Sequence, residues 1–186
     1  MNNLTLDEIQ KIHDEILEQC SKAIPTKSWK HQVNSAVRVG TYQSAFAKAH
    51  VDGNGDIYVS VHPLFLQTRF VNKLKAVMAH EFTHFVLGLD ENHNSKFKRF
   101  ESYLLDNIDC DLDAAKSEAD EFVSKIDYKW TVIAHLVDGT ELFIGGVHRK
   151  TKTYSEYPRT EREKHTVSVG EHRGKTVARY EFIQNR

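Results

Sequence analysis

Lys73-Leu74-Lys75-Ala76-Val77-Met78-Ala79-His80-Glu81-Phe82-Thr83-His84-Phe85-Val86-Leu87-Gly88 opens the stretch 73–100 on which the reading of the whole chain turns. Apolar residues at Phe70, Val71, Leu74, Val77, Met78, Phe82, Phe85 and Val86 recur at spacings of three and four, which predicts an amphipathic helix. Gly88 stands where such a helix stops. Within the helix lies His80-Glu81-x-x-His84. Positions i and i+4 share one face at 3.6 residues per turn, so both imidazoles can point at a single ion. Glu81, one residue round, is off that axis but within reach of a water held there. Two bases and a carboxylate on a buried helix would be costly as plain core, so the pattern predicts a metal site.

HExxH on a helix is the arrangement of zinc peptidases. A catalytic zinc takes three protein ligands and keeps a fourth position for water. The candidates for the third are His93, Glu91, Asp90 and, further along, Glu101. A metzincin pattern needs Gly three residues after the second His and another His three beyond; Leu87 and Asp90 hold those places, which excludes it. A thermolysin pattern needs a Glu on a following helix, where Glu101 or Glu118 stands. His93 is preferred, because the break at Gly88 lets the chain turn back toward the ion. A new helix begins just after it, with Phe97, Phe100, Leu104 and Leu105 on its apolar side.

HExxH followed by His93-Asn94-Ser95-Lys96-Phe97 resembles the SprT-like metallopeptidases, which include the Spartan DNA–protein crosslink proteases. The WLM-type peptidases share much of the pattern and are the nearest alternative. The resemblance covers about residues 30–105. It implies a zincin-like catalytic domain with one Zn2+ per chain, His80, His84 and His93 as ligands and Glu81 as catalytic base. The chain departs from the family in having Asn94 where Gly often follows the third His, and in the short interval from 84 to 93. The activity implied is that of a zinc-dependent endopeptidase cutting protein or peptide substrates, DNA-associated proteins among them. Zinc would lower the pKa of its water toward about 7 and Glu81 would take the proton. The contrasting reading is a non-catalytic nucleic-acid-binding or adaptor protein with a structural zinc. It leaves the carboxylate of Glu81 without a purpose.

The 186 residues, 40% of them hydrophobic, suit an α+β chain of one catalytic domain, 1–127, and a small basic β-rich module, 128–186. No apolar run is long enough to span a membrane and the N-terminus lacks a signal-peptide pattern, so a soluble, cytoplasmic protein is expected. Cys20 and Cys110 form no CxxC pair and predict no disulfide framework. Thr5 with Glu8 reads as a capping box opening a helix over 5–23, and Pro25 follows its end. Strands are expected at 32–39, 42–51 and 56–61, the last two joined by the turn signal Val51-Asp52-Gly53-Asn54-Gly55-Asp56. Asp56–Val61 is the expected edge strand beside the motif helix, where a substrate backbone could add. An acidic helical stretch follows over 101–126.

Residues 128–186 carry 11 Lys+Arg against 7 Asp+Glu, a balance of +4, while residues 1–127 carry 14 against 19, or −5. Strand patterns run over 130–137, 141–144, 166–169 and 176–182. The tail has no cysteine, so it cannot hold the Cys-liganded zinc ribbon that commonly follows the catalytic domain in the family. Arg149, Lys150, Lys152 and Tyr154 form a basic and aromatic strip, the candidate contact with DNA through phosphate and base.

Overall fold

The computed structural model describes residues 3–41, 45–168 and 170–185. The described chain is mixed α+β, with five helices and two three-stranded sheets. It divides into two compact units, Met1–Ile126 and Asp127–Arg186. None of its helices is long and apolar enough to cross a membrane.

In the first unit, α1 spans Leu6–Ala23. The Thr5 hydroxyl accepts from the Glu8 N–H and the Glu8 carboxylate accepts from the Thr5 N–H, so two otherwise orphaned amides are satisfied. β1 is Arg38–Val39, β2 is Ala47–Val51 and β3 is Ile57–Val61, in the order β1-β3-β2. β2 and β3 form the antiparallel hairpin, with the Asp52 carboxylate accepting from the Asn54 and Asp56 amides and Gly55 at φ +84°. Of the strand expected over 32–39, two residues form. Earlier in it, the Asn34 side chain bonds the Ile57 N–H and the Gly55 carbonyl, and Gln10 takes the Val37 N–H. Side chains thus satisfy amides that a longer ladder would have used. Residues 42–44 of the second expected strand lie outside the described residues.

The expected edge strand is also corrected. β3 is the middle strand, paired in parallel with β1 and antiparallel with β2, so β2 is the edge on its side. Phe46 pairs with His62 and Asp52 with Asp56. The backbone groups of even-numbered β2 residues therefore face β3, and Ala47, Ala49 and Val51 turn their N–H and C=O groups to the edge that no strand covers among the described residues.

The motif helix α2 covers Val71–Leu87 and is buried nearly all round, not along one stripe. α1, β2, α3 (Ser95–Leu105) and α4 (Leu112–Ser124) pack against it. Phe82, Phe85, Leu74 and Met78 are fully buried, together with Phe97 of α3 and Phe122 of α4. Its last carbonyls are not orphaned: Phe85 and Val86 accept from the His31 and Lys30 amides, and His84 from the Gly88 amide at 2.7 Å. Gly88, at φ +100°, then swings the chain out of the helix; a Cβ there would sit 2.9 Å from Lys30 Cδ.

In the second unit, β4 (Trp130–Leu136), β5 (Glu141–Val147) and β6 (Val177–Gln184) form an antiparallel sheet ordered β5-β4-β6, and α5 is the short turn Lys152–Ser155. Ala134, Leu136 and Val177 form its core with Leu142, Tyr157, Val167 and Tyr180 around them. In place of the strand expected at 166–169 there is one bridge, Thr166 to Thr176. Val167 bonds Lys175 and Gly174, and the positive φ at Gly170 and Gly174 turns the chain before a ladder can extend; Val169 lies outside the described residues.

Candidate metal centre

His80 and His84 lie one turn apart on α2, and His93 comes from the loop beyond Gly88. That loop is pinned at both ends. The Asn94 carboxamide caps α3 by accepting from the Lys96 and Phe97 amides, and Glu91 accepts from the Asn94 side chain at 2.6 Å and pairs with Lys96. His93 therefore sits at the mouth of a capped helix. Its Nε2 lies 3.1 Å from His80 Nε2 and 3.2 Å from His84 Nε2. Phe97 packs edge-on or tilted against all three rings, 4.6–5.1 Å between centroids. Among the described residues this is the group of His, Cys, Asp and Glu side chains that converges closely enough to hold one ion.

The other candidates for a third ligand are engaged elsewhere. Glu91 holds the loop, Glu118 accepts the Lys73 backbone N–H at 2.6 Å, and Asp90 is exposed. Glu101 stands opposite the far side of His80, its Oε1 2.6 Å from Nδ1. That contact places the ring proton on Nδ1 and leaves Nε2 as a lone pair turned to His84 and His93. Burial pulls the His80 imidazole down, but the Glu101 hydrogen bond and the charges of Glu81 and Glu101 outweigh it, leaving a net rise. The bond to His80 holds the Glu101 carboxyl below its ordinary value. Burial, reinforced by the charges of His80 and His93, pushes the His84 imidazole down to about 4, so it too presents a lone pair.

Glu81 is 5% exposed. Burial pushes its carboxyl up to about 7, and His80 and the Ala49 backbone N–H draw it partly back. Such a group exchanges a proton readily near neutral pH, the requirement of a general base. Around it opens a cleft of about 680 Å³, floored by α2 and walled by residues 45–49, the start of β2 and the two residues before it, with Lys73, Leu89, Glu101 and Leu105 on its rim.

Comparison with protein-family models, with curated proteins and with solved structures gives no match.

The basic strip lies in the second unit. Arg149 and Lys152 are exposed. Lys150 holds its ammonium 4.1 Å from the Trp130 ring centre and 5.4 Å from that of Phe182. Tyr154 is half-buried with its ring 4.6 Å from Tyr180, so one of its faces is taken. Sequence reasoning weighed Glu101 as a ligand and missed its place behind His80. The available signal was an acid on the apolar side of α3, between Phe97 and Leu104. Lys73 was missed as a cleft residue; it precedes His80 by seven positions and so shares its face.

Proposed function

We propose that the protein is a zinc-dependent endopeptidase of SprT-like type, built on a zincin-like first unit. The observation that carries this reading is the meeting of three imidazole Nε2 atoms beside a buried carboxylate. Nitrogens bound tetrahedrally to zinc at 2.0–2.1 Å stand about 3.3 Å apart, and the separations here are 3.1 and 3.2 Å. Three lone pairs directed at one point repel unless a cation lies between them, so the donor set fits the ion. His80, His84 and His93 would hold it; when bound, zinc acidifies a water and polarises a carbonyl.

The chain's own residues supply the rest. Glu101 fixes the tautomer and orientation of His80. Glu81, whose burial raises its affinity for a proton, takes one from the attacking water as a carboxylate and passes it to the leaving amine. The free edge of β2 offers Ala47 N–H and C=O at the cleft wall, where an extended peptide can add as a further strand. Action on DNA-associated proteins rests on the resemblance in the sequence.

Glu81→Gln is the test. It is expected to keep about one zinc per chain and to lose at least about 100-fold in turnover of an unfolded protein such as casein, within the range for general-base catalysis. Turnover undiminished in Glu81→Gln, or wild-type protein that takes up no zinc, would overturn the assignment.

A further inference from the structure

Two lysines line the cleft, Lys48 and Lys73, and the second is held against a ring face with no salt bridge of its own among the described residues. Lys73 lines it two turns before His80 on α2. Its side chain is half-buried, and desolvation lowers its pKa. The ammonium rests 3.9 Å from the centre of the Phe46 ring. Among the described residues no carboxylate comes within ion-pair distance of it and no oxygen accepts a hydrogen bond from it. The nearby acids are committed: Glu118 meets the Lys73 backbone N–H, and Glu101 is bonded to His80. A ring face satisfies one side of an ammonium and leaves donors directed elsewhere. Lys75, by contrast, is paired with Asp109.

We infer that Lys73 is the anion subsite of the cleft, and that the preferred substrate is a peptide with a carboxylate near the scissile bond. This rests on the peptidase reading and specifies its substrate. Seven residues of α-helix separate Lys73 from His80 by about 10.5 Å, which an extended peptide covers in about three residues. The carboxylate accordingly lies within three residues of the bond that is cut. It is an Asp or Glu side chain or the free C-terminus of a short peptide; the chemistry at Lys73 is the same.

The test uses quenched-fluorescence peptides carrying one Glu, or Gln in its place, at each of three positions on either side of the cleavage site, with C-termini free or amidated. Wild-type protein is expected to favour one acidic position about tenfold in kcat/KM, the scale of a charge-assisted hydrogen bond. That Glu/Gln ratio falls to about one in Lys73→Met and below one in Lys73→Glu. Dependence on a free C-terminus alone identifies the terminal carboxylate as the ligand. A ratio that is the same in wild type and Lys73→Met overturns the inference. A second arm needs no turnover: anisotropy titration of the same peptides, fluorescein-labelled, on Glu81→Gln and on Glu81→Gln/Lys73→Met. Failure of hydrolysis with tighter Glu binding that requires Lys73 would sink the peptidase reading and keep the subsite. Equal affinities, or no binding, sink the subsite.

Discussion

Glu101 bonds the far nitrogen of His80 and so decides which nitrogen faces His84 and His93. Removal of such a partner weakens a metal site by about 10- to 100-fold. Glu101→Gln is therefore expected to lower zinc affinity by that factor in competition with a chelator, and His93→Ala to lose stoichiometric zinc altogether. Near-stoichiometric zinc in His93→Ala would mean a different third ligand. A separate residue ties the core to pH. His13 of α1 is 1% exposed, packs edge-on against Phe82 at 5.2 Å, and among the described residues has no partner for Nε2. Desolvation lowers its pKa from the ordinary 6.5, although Asp14 opposes the shift. Because the folded state resists protonation, the stability it contributes is complete above pH 6.5 and is lost as the pH falls below that value. The melting temperature of His13→Leu should thus decline less than that of wild type between pH 7 and 5.5. Parallel declines in calorimetry would show that His13 is not the group responsible.

At the scale of elements, the loop 88–94 does the positioning. Asn94→Ala removes the cap of α3 and is expected to cost about 1 kcal/mol in denaturant unfolding, with weaker zinc binding because His93 is its neighbour. An Asn94→Ala protein with unaltered zinc affinity would show that the cap does not hold His93. Local chemistry made several elements legible: Thr5 with Glu8, the Asp52–Asp56 turn, Gly88, and the i, i+4 pair at His80 and His84. What was not legible depends on packing between distant segments. β1 pairs with β3 from about twenty residues away, and that pairing turns β3 into a middle strand and leaves the cleft wall to β2. The helix expected to be amphipathic is enclosed by α1, α3, α4 and β2, a property of the neighbours and not of its own period. Glu101 acquires its role when α3 folds back on α2.

At the scale of the whole molecule, all three histidines, Glu81, Glu101 and Lys73 belong to the first unit, which has its own core. Residues 1–126 alone are expected to bind about one zinc and to cleave peptides at a rate within a few fold of the full chain. Loss of zinc from that fragment would show that the second unit is required for the centre. DNA retardation by the full chain and not by 1–126 is the expectation if the +4 balance of 128–186 meets phosphate. The burial of the three histidines is uneven, two half-covered on α2 and His93 exposed on its loop. A competing ligand would therefore reach an ion held by this group from the His93 side, before the helix pair lets go. If zinc binds there, its exchange is expected to be associative, with a rate that rises with chelator concentration; a rate independent of chelator would show that the ion leaves unaided.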